Sequence, residues 1–227
     1  MINKDNIYFS FDDWYPKDLE FARELKKRWF NNLIFYVPIK NCEWKKTLTG
    51  DEIKELSQLW EIWWHTYNHV DLMTLSFEEA ENEVKRWKEG LEKILWQKIT
   101  SFCYPRGHFN KKIIELVKKL WFKHTRSARL FNFHKMNMWE FVEHPNIHFY
   151  PHSLMIDCLH CIKWLDFYSL FWRVRYFYLS HYEMIYKILE RNWCVHIWGH
   201  TWEIDQNEFY KMLDILDTNN KQNDRCS

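Results

Sequence analysis

Glycine is nearly missing from this chain: 4 residues in 227, where ordinary usage of about 7% would supply roughly 16. Few positions are therefore left for the left-handed backbone that helix ends and tight turns need. No charge of one sign dominates. Lys and Arg number 32 against 31 Asp and Glu, a net of +1, so there is no whole-chain electrostatic footprint for nucleic acid or an anionic membrane. Apolar runs all fall short of a membrane span. The opening residues Met1-Ile2-Asn3-Lys4-Asp5-Asn6 lead straight into an apolar strand with no apolar signal segment before it, and the expectation is a cytoplasmic protein. A disulfide framework is absent too. Cys42, Cys103, Cys158, Cys161, Cys194 and Cys226 are scattered, as in a reducing compartment. The lone Cys158-Leu159-His160-Cys161 has no partner pair and reads as small buried thiols. No repeat or low-complexity linker interrupts the chain, so its length suits one domain over residues 1–218 with a polar tail at 219–227.

What is present in excess is aromatic: 15 Trp, 12 Tyr and 17 Phe. Two stretches carry chemistry. In Glu61-Ile62-Trp63-Trp64-His65-Thr66-Tyr67-Asn68-His69, two imidazoles stand four residues apart. On a helical turn that spacing puts both on one face, close enough to share a divalent cation. Ser10-Phe11-Asp12-Asp13 follows the apolar run Ile7-Tyr8-Phe9, a buried strand ending in two carboxylates, where parallel α/β folds place their chemistry. Apolar runs and amphipathic segments alternate beyond these. Strands are expected at 7–11, 33–37, near Ile62, 100–103, 122–125, 147–150 and 194–198, and helices at 16–28, 49–59, 76–95, 110–120 and 207–216, with two more between Cys158 and Arg191. Ser76-Phe77-Glu78-Glu79 is a capping box. Residues 126–146 read as an irregular loop near the site mouth. Alternation of this kind predicts a parallel (β/α) barrel.

Four stretches together resemble the polysaccharide deacetylase family, metal-dependent carbohydrate esterases. Ser10-Phe11-Asp12-Asp13 is similar to its first motif and His65-Thr66-Tyr67-Asn68-His69 to its second. Tyr104-Pro105-Arg106-Gly107 is similar to its third, and His196-Ile197-Trp198-Gly199-His200-Thr201-Trp202-Glu203 to its last. Order and spacing agree over residues 7–205. The resemblance implies a distorted seven-stranded barrel and removal of an N-acetyl or O-acetyl group from a glycan or glycan precursor. It implies a divalent metal, Zn²⁺ above others, held by Asp13, His65 and His69. Asp12 would be the general base, the backbone N–H of Arg106 an oxyanion donor and His200 the general acid, with Glu203 and His196 as residues behind them. The chain departs from the pattern twice. Cys103 stands where many members carry the arginine that tethers the base, leaving Arg106, Arg126 or Arg129 as substitutes. The aspartate-bearing fourth motif is not recognisable. The partner expected is an acetylated carbohydrate, with neither nucleic acid nor membrane, and oligomeric state is not legible. Two other functions share the same residues: a small-molecule C–N hydrolase acting on a formamido-sugar or cyclic amide, and a degenerate carbohydrate-binding module.

Several tryptophans fall where the resembled sequences have glycine, Trp14 after the carboxylates and Trp60, Trp63 and Trp64 around Glu61-Ile62. Trp29 and Trp121 stand before Phe where a Gly-Phe closes a helix and opens a strand, and Trp96 and Trp193 fall between a helix and the next strand, where a left-handed cap favours glycine. Trp198 and Trp202 instead fall where the resembled sequences carry Trp. A coherent reading is that most of these positions are glycine in the organism, encoded by UGA under a reassigned genetic code and translated here by the standard one. Mass spectrometry of the native protein is the check. A peptide spanning Trp14 or Trp63 is expected to be lighter than the printed sequence requires, and the full tryptophan mass would end the reading.

Overall fold

Side-chain alternation along the first strand organises the molecule. In β1 (Ile7–Asp12), Ile7, Phe9 and Phe11 join the apolar core, whereas Ser10 and Asp12 are buried but polar. Period-two geometry sends these two sets to opposite faces of a sheet. The computed structural model describes residues 3–13, 15–38, 48–65, 67–137 and 140–221. After β1 come α1 (Lys17–Lys27), β2 (Asn32–Val37), α2 (Gly50–Leu59), β3 (Glu61–Trp64), α3 (Phe77–Leu95), β4 (Ser101–Cys103), α4 (Lys111–Lys119), β5 (His124–Arg126), β6 (Val142–Glu143) and β7 (Ile147–His148). Then follow α5 (Leu154–Lys163), α6 (Phe167–Arg175), α7 (His181–Asn192), β8 (Val195–Gly199) and α8 (Gln206–Lys221). No described helix is long and apolar enough to cross a membrane.

All strand pairs in the sheet are parallel, in the order β6-β5-β4-β3-β2-β1-β8-β7. That order forces the sheet to roll. β6 and β7 are its two ends, yet only residues 144–146 separate them in sequence. Flat, eight strands would hold the end strands about 34 Å apart, while the four backbone steps from 143 to 147 reach at most about 14 Å. The rolled sheet has an outer face packed on helices through Phe9, Phe11, Phe35, Val84, Trp87 and Phe102, and an inner face carrying Ser10, Asp12, Tyr36, Cys103, Arg126, Glu143 and His196, all buried.

Several expectations are revised. The sheet has eight strands, not seven, because the interval expected to be a loop contributes the two-residue β6, while the strand expected at 147–150 is present as the two-residue β7. A strand as short as β6 shows no period. Three helices, not two, occupy the aromatic stretch, beginning at Leu154. The last helix continues past Leu216 to Lys221, so the expected polar tail begins inside a helix, and residues 222–227 lie outside the described ones, as do Trp14 and Thr66. Both halves of the Ser76 capping box form, with Glu79 N–H donating to Ser76 Oγ and Ser76 N–H donating to Glu79.

The helix ends bear directly on the tryptophans. Trp29, Trp96, Trp121 and Trp193 all have left-handed backbone, at φ 63°, 55°, 69° and 67°. After α1, Phe30 N–H donates to Leu25 O and Trp29 N–H to Lys26 O. After α4, Phe122 N–H donates to Val117 O and Trp121 N–H to Lys118 O. Both are Schellman closures, whose left-handed position glycine fills without a Cβ clash. The four indoles are 77–89% exposed, so packing recovers little of the strain. Trp60 and Trp63 behave differently. Trp60 is extended at φ −152° and donates to Ala22 O. Trp63 packs against Tyr36 and His124 and bonds Glu61. Replacing Trp29, Trp96, Trp121 and Trp193 together by Gly should stabilise the fold by roughly 1 kcal/mol per site, raising the thermal midpoint by roughly 10 °C. A scanning melt that shows no rise would remove the conformational argument for glycine at these positions.

Candidate metal centre

Neighbouring strand residues normally face opposite sides of a sheet, so Asp12 and Asp13 reach one cavity only because the chain breaks its extended form between them. Asp13 has φ 72°, a left-handed conformation that aspartate tolerates better than most residues. The histidines meet by a similar device rather than by the expected helical turn. His65, Tyr67, Asn68 and His69 follow β3 outside any helix, and His69 itself has φ 56°. Glu83 of α3 holds that stretch by accepting Asn68 N–H at 2.6 Å and Asn68 Nδ2 at 3.0 Å.

Three buried donors converge as a result. His69 Nε2 lies 2.9 Å and His65 Nε2 3.4 Å from Asp13 Oδ1, and the two Nε2 atoms are 3.1 Å apart. Bonds of about 2.0–2.1 Å to a tetrahedral metal would place ligand atoms roughly 3.3 Å from one another. The observed triangle has that size. Burial lowers the His65 pKa, favouring the neutral imidazole a metal needs, and its Nδ1 faces Cys103 O at 3.4 Å, which leaves Nε2 for the cation. Asp13 sits well below the ordinary carboxylate range. Burial opposes this, but its bonds to His65 and His69 prevail. The residues present therefore fit a divalent cation. A second grouping, Asp12, His65 and Cys103, fits less well, since burial raises the Cys103 thiol well above its ordinary pKa and keeps it protonated.

Asp12 has a different partner. Arg126 Nη2 donates to both of its carboxylate oxygens, at 2.5 and 2.6 Å, and to Cys103 Sγ at 3.0 Å. Of the three arginines the sequence offers as tether, this is the one that reaches. Its guanidinium lies between Tyr36 and Trp198, 4.5 and 4.8 Å from the ring centroids. Burial works against its charge, yet Asp12 more than compensates and raises its pKa. Arg129 instead pairs with Asp166 at 2.9 Å, and Arg106 is an exposed rim residue with φ 57°. Gly107 follows at φ 66°, where a Cβ would lie 2.8 Å from that of Ala128, so the third-motif turn requires glycine there.

His200 completes the ring. Its Nε2 is 3.6 Å from Asp13 Oδ2, and its Nδ1 meets Glu203 Oε2 at 2.7 Å, while Glu203 also faces His148 Nε2 at 3.4 Å. Burial pulls His200 down, but Glu203 and the Asp13 and Asp12 carboxylates push it up to about 9. His196 is not brought to this cavity. Four residues down the same strand, about 13 Å away, it bonds Glu143 and, at 2.8 Å, Ser10 Oγ. Asp12, Asp13, His65, His69, Arg106 and His200 line a cavity of about 400 Å³ with Tyr104, Trp198 and Trp202. Trp63 is not among the lining residues and does not crowd the donors. Glu83 and His148 carry no motif signal in the sequence; only the distances between elements reveal them.

A model of the polysaccharide deacetylase family matches residues 2–124. YxkH of Bacillus subtilis, described as a candidate polysaccharide deacetylase, is 25% identical over 114 residues, which are 50% of this chain and 41% of that protein. The chain thus spans under half the length of this curated relative. Among solved structures, the Streptococcus pyogenes deacetylase PplD superposes with a TM-score of 0.54 at 23% identity, covering 67% of this chain and 68% of that one. The Bacillus anthracis protein BA3943, described as a pseudoenzyme, covers 98% of this chain and 63% of its own at TM-score 0.53 and 14% identity. These superpositions show a shared fold. Because a protein described as a deacetylase and one described as a pseudoenzyme both carry it, activity has to be argued from side chains. The loop anchor gives the first test: Glu83→Ala should weaken metal binding by roughly 10- to 100-fold with the fold intact. Titration of the apo protein with Zn²⁺ at unchanged affinity would show that Glu83 does not position His69.

Proposed function

The chain belongs to the polysaccharide deacetylase family, and from that premise we propose that it hydrolyses an N-acetyl or O-acetyl group on a carbohydrate, using a divalent metal at Asp13, His65 and His69. The observation that carries this reading is the pairing of a three-donor triangle of metal-site size with a separate, tethered carboxylate at the same cavity. A binding module has no need of a buried arginine to hold a carboxylate beside a metal centre. The chemistry supplied by a Zn²⁺ bound there is Lewis acidity and an activated water.

The chain's own residues do the rest. Asp12 accepts the proton of the attacking water, and Arg126 fixes which way its oxygens point. As the C–O bond forms, the carbonyl oxygen becomes an oxyanion facing the backbone N–H of Arg106 at the cavity rim. His200, protonated through its contact with Glu203, delivers a proton to the departing nitrogen or oxygen as that bond breaks. The products are acetate and the free amine or hydroxyl. Trp198 and Trp202 line the cavity and offer faces on which a sugar ring stacks. In the same reading the rolled sheet closes as a distorted barrel like that of the family, with β1, β3, β5 and β8 around one mouth.

Metal content and acetate release from acetylated chitooligosaccharides test it. Asp13→Ala, His65→Ala and His69→Ala should each lose metal, because three donors leave no substitute. Asp12→Asn should keep the metal and lose turnover by about 10²- to 10⁴-fold. Stoichiometric metal in any two of the alanine variants would refute the ligand set. Metal without acetate release would redirect the reading to a small-molecule amide, and neither metal nor acetate to a binding module.

A further inference from the structure

The helical hairpin of α5 and α6 exposes an apolar surface that the fold leaves uncovered. Met155, Leu159, Leu165, Phe167, Phe171, Phe177 and Tyr178 are each more than half exposed, at 56–74%. Exposed apolar residues scattered singly need no explanation, but seven on one supersecondary unit do. The charges of the same unit are one-sided. Its two acids are buried and paired: Asp157 accepts from Arg173 at 2.7 Å, and Asp166 faces Arg129 at 2.9 Å and His134 at 3.0 Å. The basic Lys163 and Arg175 are exposed, and Arg191 of α7 joins them through Tyr168 and the Trp172 ring. Between Leu154 and Ser180 the exposed charge is therefore only positive.

We propose that this hairpin is a docking surface for an anionic lipid bilayer, with its aromatic and aliphatic side chains seated at the headgroup boundary and Lys163 and Arg175 against lipid phosphates. The net charge of +1 conceals this patch, because the balancing acids lie elsewhere on the molecule. A second copy of the chain is a poorer occupant. A two-fold contact through this face would set Lys163 and Arg175 of both copies against one another. Position gives the surface its use. His160, on the same hairpin, lines the metal-site cavity, and Lys163 and Trp164 line an adjoining cavity of about 410 Å³ that shares Arg106, Ala128 and His160 with it. Docking would hold the site mouth at the bilayer surface, over glycan carried there. The docking itself does not depend on the deacetylase reading.

Vesicle co-sedimentation of the full chain tests the proposal. Vesicles containing phosphatidylglycerol should retain the protein and pure phosphatidylcholine vesicles should not, with retention falling at high salt. Phe167→Ser, Phe171→Ser and Phe177→Ser combined should lower retention by at least about tenfold, with Zn²⁺ content and thermal midpoint unchanged. Lys163→Gln with Arg175→Gln should lower it by about 25-fold, at roughly fivefold per basic residue. Equal recovery in the supernatant with both vesicle types would overturn the proposal. So would a stable dimer in sedimentation velocity that the triple serine variant dissociates, since the face would then belong to a second copy.

Discussion

The contact on which the rest of the structure depends is the buried ion pair of Arg126 with Asp12. In the sheet order, β5 and β1 stand four places apart, about 19 Å on a flat surface, yet the guanidinium meets the carboxylate at 2.5 Å. Only a rolled sheet permits this, and the pair in turn ties the roll together across its interior. Burying two charges costs several kcal/mol per ion, and breaking such a pair by removing one partner costs about 3–5 kcal/mol. Tyr36 and Trp198 on either face of the guanidinium offset part of that cost through ring quadrupoles. The same contact orients Asp12, so closure of the fold and readiness of the site rest on one interaction. His196, Glu143 and Ser10 repeat the arrangement lower in the interior, buried and hydrogen-bonded to one another.

Left-handed backbone serves two separate purposes in this chain. At Asp13, His69, Arg106 and Gly107 it aims donors into the cavity, and strain there is of the kind that functional sites hold against the surrounding fold. At Trp29, Trp96, Trp121 and Trp193 it closes helices, with no chemistry nearby and large rings in solvent. Evolution has reason to keep the first kind. The second is what glycine exists to avoid. Leu165, also left-handed after α5, shows that a non-glycine residue can hold such a place, so the argument for glycine rests on four tryptophans recurring at one structural position.

Much of the site was legible in sequence because its donors come in short-range pairs. Asp12 with Asp13 and His65 with His69 are each fixed by spacing along one segment, and the strand before each carboxylate or imidazole shows a clear apolar pattern. Arg126 was one of three candidates because its contact joins residues 114 apart in sequence, and no local pattern encodes which arginine a rolled sheet brings inward. Glu83 was illegible for the same reason, being one acid among several on an amphipathic helix. His196 and His200 share a strand face by period two, but position along the strand separates an interior structural histidine from one at the cavity. The two-residue strand β6 lies below the length at which alternation can be read at all, whereas β7 falls within the apolar run expected at 147–150.

The hairpin α5–α6 joins the core through Cys161, with Leu170 and Trp172 packed against it, and is tied to the centre of the molecule by polar contacts as well. Phe133 N–H donates to Ser169 Oγ at 2.8 Å, Arg129 pairs with Asp166, and Leu130 N–H approaches His160 Nε2 at 3.3 Å. All three contacts run to residues 129–133, the segment that follows β5 and supplies Leu130 to the cavity wall. Trp198 Nε1 donates to Arg129 O at 2.6 Å, so the same segment reaches the ring that covers Arg126. Packed side chains and polar contacts therefore run in sequence from the hairpin to the Asp12–Arg126 pair.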